Sequence, residues 1–321
     1  MTPSPGTIIV VGSLNLDLSV QTPRLPGPGE TVTGNELRFS PGGKSSNQAA
    51  AAALLGGSVS LVGAVGDDEF ADRVLSSANA FGVDTTQVER IADCATGAAL
   101  IAVDAEGENN IIIAPGANAQ LAATHVDAVP AALWDEASVL TLALEVSPET
   151  VLAAARRARA HDVQVVLNPS PLRELEPELL ELTDLLVLNE HELAGLIGID
   201  PEAPIAGAHA LEALGALGIS RCVITLGRAG ALVLDATAAA SEQVMPIPAY
   251  VVDAVDTTGC GDAFTGALAH ALAGGATLIE ATRLGALVGA FAARGAGAQV
   301  SYPTAAALEA FRSETHTARA A

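Results

Sequence analysis

The sequence predicts an α/β fold: a mainly parallel sheet with helices packed on both of its faces. Three observations carry that expectation. Six short apolar runs rich in β-branched residues recur along the chain, helical patterns lie between them, and no fixed-period repeat or Gly/Ser linker interrupts the alternation. Unbroken apolar runs suit strands that meet no water on either face.

Residues 8–11 form the first expected strand. Its apolar run from Thr7 is short and lacks a basic flank, so it is no secretory signal. Strands are expected next at 59–62, 139–142, 163–167, 185–188 and 222–226. Helices are expected at 46–55, 69–81, 148–161, 190–197 and 205–217. From Asp262 onward the chain turns helical, and 263–273 and 278–293 are apolar nearly all round, the mark of buried helices. Two pairs of extended segments break the rhythm, 14–21 with 30–39 and 98–103 with 109–113. They end in turn residues such as Pro26-Gly27-Pro28-Gly29 and Glu106-Gly107-Glu108. They are either added edge strands or a small β-lid, and their open edges make a contact between subunits an expectation. The tail 312–321 is polar and expected to fray.

Length and composition bound the rest. The chain has 321 residues, 50% hydrophobic and 16% charged, enough for a large core without staples and too apolar for a disordered chain. A soft prior of about 150 residues per domain suggests two, but the missing linker favours one domain over 1–321. Lys+Arg number 15 against 37 Asp+Glu, a net charge of −22, which excludes a basic nucleic-acid face. Cys94, Cys222 and Cys260 form no disulfide or zinc pattern and fit a reducing cytoplasm. No apolar stretch reaches the ~18 residues of a membrane span; 284–293 is bracketed by Arg283 and Arg294. The six histidines show no metal-ligand spacing, and Trp134 is expected in the core.

The chemistry concentrates in four places. Around Asp256, the residues Gly259, Cys260 and Gly261 run into a buried helix whose first turn carries Asp262. Bare N–H groups at a helix start can hold an anion, and an adjacent carboxylate can take a hydroxyl proton, which suits phosphoryl transfer; a lone Gly-x-Gly-Asp is also an ordinary helix cap. Asn15 and Asp17 alternate on an extended strand and so face one side, while Gly42, Gly43, Lys44 and Asn47 open the next helix. Lys44 is not a Walker A lysine, because position 38, where that motif needs glycine, is Arg38. Asn189-Glu190-His191-Glu192 opens a helix, where its acids either complement the helix dipole or organise Mg²⁺ through water. Thr225-Leu-Gly-Arg-Ala-Gly230 is a plain turn or the floor of a nucleotide site.

The order of these blocks resembles the ribokinase branch of the PfkB carbohydrate kinase family, from Val11–Asp17 through Pro28–Gly34, Gly42–Ala49, Gly107–Asn110, Gly116–Asn118 and Asn189–Glu192 to Asp256–Leu268. The resemblance implies a three-layer α/β/α sandwich with a β-lid at about 14–39 and 98–113, and a homodimer formed through that lid. It implies an ATP-dependent sugar kinase, with D-ribose to ribose 5-phosphate the first candidate. Asp262 would be the general base, with the amides of Gly259, Cys260 and Gly261 as anion hole. Asn15, Asp17, Gly43, Lys44, Asn47 and Glu145 would contact the sugar. Asn189 and Glu192 would serve Mg-ATP, and Thr225, Gly227, Gly230 and Gly261 the nucleotide. A K⁺ site would draw on Asp256, Thr258, Ala292, Gly295, Gly297 and Ser301. Departures from the family pattern are Ser45 and Ser46, an extra Val146 after Glu145, Ala286 by the adenine, and Cys260, either a redox-sensitive thiol or a small residue giving only its N–H.

The alternatives are a fructokinase, a 2-keto-3-deoxygluconate kinase, a nucleoside kinase, or a catalytically silent sugar-binding regulator. A silent regulator would need neither Asp262 nor the small-residue anion hole. A dinucleotide-dependent oxidoreductase is disfavoured, because Gly12-Ser-Leu-Asn-Leu-Asp17 follows the first strand in place of G-x-G-x-x-G.

Overall fold

The computed structural model describes residues 6–320, and the side chains of residues 6–314. In chain order the strands are β1 (Thr7–Val11), β2 (Asn15–Gln21), β3 (Arg38–Gly42), β4 (Val59–Gly66), β5 (Val83–Ile91), β6 (Gly97–Val103), β7 (Asn109–Ala114), β8 (Ala137–Ala143), β9 (Gln164–Asn168), β10 (Leu185–Asn189), β11 (Arg221–Thr225), β12 (Ala231–Asp235) and β13 (Val244–Ile247). The helices are α1 (Lys44–Leu54), α2 (Glu69–Ala80), α3 (Ala123–Ala128), α4 (Ala131–Glu136), α5 (Pro148–Ala160), α6 (Pro177–Glu181), α7 (Glu190–Ile197), α8 (Gly207–Ala216), α9 (Cys260–Ala273), α10 (Leu278–Ala292) and α11 (Ala305–Ala320).

Nine strands make the large sheet in the order β13-β12-β11-β10-β9-β8-β1-β4-β5. It is parallel from β5 to β11, and β12 and β13 close it antiparallel. Alternate residues feed two apolar layers. Ile9, Val11, Leu140, Leu142, Val165 and Leu167 pack with Trp134 and α5. Ile8, Val10, Val139, Val166, Leu185 and Val187 face Phe264 and Leu268 of α9. That two-sided burial explains the unbroken apolar runs in the sequence. Strand order reverses at β1, with β4 on one side and β8 on the other, and at such a switch the loops part to leave a crevice.

The second sheet, β3-β2-β6-β7, is the lid. Residues 31–37 are not strand, a correction to the expected extended segment 30–39; pairing begins only at Arg38, beyond the Pro/Gly-rich turn. The structure adds β5, β12 and β13, and α11 continues through the described part of the tail expected to fray. Helix α9 lies against α1 at backbone contact, because Gly266 has no side chain: a Cβ there would stand 2.3 Å from the Gln48 carbonyl oxygen. Among the described residues no helix is long and apolar enough to cross a membrane.

Candidate active site

The crevice at the carboxyl ends of β1 and β8 is built on Gly43. At φ 89° this residue caps α1, and a Cβ would come within 2.9 Å of both the Asn15 nitrogen and the Ser13 oxygen. Only glycine lets the start of α1 approach β2 so closely. Glu145, just beyond β8, closes the other side: its Oε2 accepts from the Ser13 hydroxyl at 2.6 Å and from the Lys44 N–H at 3.0 Å. The extra Val146 does not displace it; Val146 is buried, and its carbonyl accepts from both terminal nitrogens of Arg173. Asn15 is buried, and Asn118 holds it in place. The Asn118 amide donates to Asn15 Oδ1 at 2.7 Å and to the Leu14 carbonyl, and accepts from the Leu14 N–H. Burial first, then the charges of Glu145 and Asp262, push the Asp17 carboxyl up to about 7.

Asp262 sits at the third position of α9, almost fully buried. Burial drives its pKa up, while Lys44, the Asn47 amide and Gln48 favour the charged form and Glu145 opposes it. Lys44 is the only lysine in the chain; the other 14 of its 15 basic residues are arginine. Asp262 before all else, and then Glu145 and Glu192, hold its ammonium above the ordinary range against the pull of burial. Asn47 is held at both ends of its amide. Its Nδ2 donates to Asp262 Oδ2 at 2.8 Å and its Oδ1 accepts from Gln299 at 2.9 Å, so the amide links Asp262 to the turn at Gln299.

Cys260, the middle residue of the expected anion hole, is the first residue of α9. Its N–H turns back onto the Thr257 carbonyl at 3.2 Å, whereas the first-turn N–H groups of Gly261 and Asp262 have no carbonyl one turn behind them. No side chain crowds the α-carbon of Gly261. The Cys260 thiol is pushed up to about 11 by burial, Asp256 and Asp262, so it is an unreactive small residue and not a low-pKa sensor.

Lys44, Asn189, Glu192, Thr225, Gly261 and Asp262 line one cleft of about 330 Å³, open to solvent. Asn189 and Thr225 are side by side because β10 and β11 pair in that register. Asn189 and Glu192 form a reciprocal capping box: Asn189 Oδ1 accepts from the Glu192 N–H at 2.8 Å, and Glu192 Oε2 accepts from the Asn189 N–H at 2.9 Å. That bond fixes the Glu192 carboxylate and leaves its second oxygen for the cleft, a donor set that fits water-mediated Mg²⁺. Gly227 and Gly230 make the turn beyond β11 and are not in the cleft wall.

Of the expected cation ligands, Asp256 accepts from the Thr258 N–H at 2.9 Å and the Gly297 N–H at 2.8 Å. Burial raises the Asp256 carboxyl, but these bonds outweigh it and keep the group below its usual pKa. Gly295 packs on Ser301, and its N–H bonds the Ala292 carbonyl. One carboxylate among carbonyl oxygens is a hard, all-oxygen set that fits an alkali cation. Sequence reasoning missed Gln299 and Tyr302, and quoted Ser13, Gln48 and Asn118 only as parts of motifs.

A buried carboxylate facing a lone lysine at a helix start, on the carboxyl edge of a parallel sheet, is an arrangement that suits a phosphotransferase acting on a hydroxyl group. The chain belongs to the pfkB family of carbohydrate kinases, whose profile matches residues 6–305. It is 36% identical over 298 residues to a deoxyribokinase of Salmonella typhi, covering 92% of this chain and 95% of that one. It is 35% identical over 298 residues to a ribokinase of Haemophilus influenzae, covering 93% and 95%. The solved structure of Arabidopsis thaliana ribokinase complexed with ribose and ATP matches with a TM-score of 0.86 at 27% identity, covering 96% of this chain and 99% of that one.

Proposed function

We propose that this kinase transfers the γ-phosphoryl group of ATP to the 5-hydroxyl of D-ribose, giving D-ribose 5-phosphate. The observation that carries the reading is Asp262 at the start of α9, beside Lys44 and across from Asn15, Asp17 and Glu145. The sugar lies between the last three, its primary hydroxyl beside Asp262, whose raised pKa suits it to accept that proton. As charge builds on the transferred group, the N–H groups of Gly261 and Asp262 and the Lys44 ammonium stabilise it. Asn189 and Glu192 would hold Mg²⁺, which supplies charge neutralisation between the phosphates. Asp256, Thr258 and the carbonyls of Ala292, Gly295, Gly297 and Ser301 would hold K⁺, which would add positive charge to the site. The turn Thr225–Gly230 would floor the nucleotide site.

The likeness to a deoxyribokinase supports a second reading, phosphorylation of 2-deoxyribose. A single kinase domain and a cytoplasmic location fit the unbroken family match and the three free cysteines. A homodimer is supported by the lid's exposed apolar residues Leu100, Ile111, Ile112 and Ile113.

The test is coupled-assay turnover with Mg-ATP on ribose, deoxyribose, fructose, 2-keto-3-deoxygluconate and nucleosides. Asp262→Asn should keep the fold and sugar binding while kcat falls by about 10²- to 10⁴-fold. Near-normal kcat in that variant rejects Asp262 as base, and no ATP consumption with any substrate favours a silent sugar binder.

A further inference from the structure

The 3₁₀ turn Gln299–Ser301 and Tyr302 after it are buried against the catalytic elements, although no reacting group is assigned to them beyond the Ser301 carbonyl. Gln299 is 1% exposed. Its Nε2 donates to Asn47 Oδ1 at 2.9 Å and to the Ser46 hydroxyl oxygen at 3.1 Å, both in the first turn of α1. Tyr302 donates its hydroxyl to the Gly259 carbonyl at 2.8 Å, the cap of α9. Gly297, at the start of the same stretch, donates to Asp256. Six residues far along the chain thus bind three separate pieces of the site.

Polarity makes the Gln299 contact directional. An ionised carboxylate only accepts, so Asn47 must present its NH₂ to Asp262 and its oxygen elsewhere. Gln299 meets that oxygen with a donor. If the Asn47 amide flipped, its oxygen would face the Asp262 carboxylate and its NH₂ would face the NH₂ of Gln299. Without the Gln299 amide, the Ser46 hydroxyl and Asn47 oxygen would lose a donor in a buried place, and only the Asp262 carboxylate itself would still oppose the flip.

We infer that Gln299 is a positioning residue for the general base: it fixes the orientation of the Asn47 amide, which in turn fixes one carboxylate oxygen of Asp262 toward the sugar hydroxyl. This rests on reading Asp262 as the base, and a flipped or mobile Asn47 would misdirect proton acceptance without emptying the sugar pocket. The other groups that face Asp262 are Lys44 and Gln48 on α1, Glu145 beyond β8, Asp17 on the lid, Cys260 on its own helix and Tyr302. Gln299 alters none of their charges, so its removal isolates the amide relay.

The variant is Gln299→Met, which keeps length and stem; the Gln299 Oε1 that it also removes has no partner among the described residues. The expected result is a kcat about 10- to 100-fold lower, with the acid limb of the kcat profile moved to higher pH because the charged carboxylate has lost a fixed donor. KM for sugar and for ATP should stay within about twofold, since no ground-state contact changes. Aspartate ¹³C-carboxyl NMR gives a substrate-free readout: the Asp262 signal, identified by its loss in Asp262→Asn, should titrate at higher pH in Gln299→Met. That shift supports the relay even if no tested sugar is phosphorylated, a result that would count against the kinase reading alone. Unchanged kcat and unchanged Asp262 titration in folded Gln299→Met overturn the inference. If that variant does not fold, Gln299→Glu keeps the shape and turns a carboxylate on the Asn47 oxygen. Parental Asp262 titration and turnover in Gln299→Glu overturn it equally.

Discussion

Asp17 holds a share of its protons at neutral pH, because burial and two neighbouring carboxylates push its carboxyl up to about 7. A sugar hydroxyl donates better to the ionised form, so KM for the sugar should fall as pH rises from 6 to 8. Stability should move the other way. Between its ordinary value near 4 and 7 the native state keeps a proton that the unfolded chain has lost, so rising pH removes stability from the ligand-free protein. Asp17→Asn should remove that dependence, about 4 kcal/mol at pH 8, while weakening sugar binding by ~10- to 100-fold. Melting temperatures of both proteins at pH 5 and 8, with and without sugar, check this; parallel pH curves would refute it. At this scale the sequence marks Asn15, Asp17, Lys44 and Asp262, since each lies in a short block of unusual composition. It does not mark the partners of Asn47, because those bonds span 215 and 252 residues of chain and depend on how α1, α9 and the turn at Gln299 pack.

The lid is the element whose surface is least explained by one chain. Leu18 pairs with Phe39 and with Leu100, and Leu100 with Ile112, so these four form an apolar ladder on one face. Phe39 is partly covered by Phe70 and Arg73 of α2, while Ile112 is 65% exposed. Ile111 and Ile113 lie on the opposite face, the one shared with Asp17. An exposed apolar strip on a sheet with open edges at β3 and β7 calls for a covering partner. A Leu100→Glu/Ile112→Glu protein should sediment as a monomer where the parent sediments as a dimer. A parent that is monomeric at micromolar concentration would remove the lid dimer from the proposal. The parallel strands were legible as apolar runs; β5 was not, because it lies at the sheet edge and its outward residues are polar, and β12 and β13 were not because short antiparallel strands lack such runs. The misjudged 30–39 segment is rich in turn-formers, where polarity does not distinguish strand from loop.

Across the whole molecule, a net charge of −22 opposes an anionic substrate unless cations are gathered at the site. Under the proposed function the remedy would lie in a few places: Lys44, the start of α9, and the oxygen donors around Glu192 and Asp256. Turnover should therefore rise on the order of tenfold when K⁺ replaces tetramethylammonium at fixed ionic strength and saturating Mg-ATP. Equal rates in the two salts would exclude a specific cation and leave only general screening. Composition points to a demand for cations, whereas the oxygen donors that would meet it come together only where the distant segments around Asp256 and Gly297 close on each other.

The solitary lysine has a consequence for anyone handling the protein. Arginine serves at every other basic position, so the only side-chain amine lies in the cleft, charged and walled by carboxylates. Amine-directed cross-linkers, biotinylating esters and isopeptide-forming tags find no side-chain target on the outer surface and are left with the α-amino group. Coupling through that group gives a uniformly oriented protein, and any second label reports directly on the occupancy of the catalytic cleft.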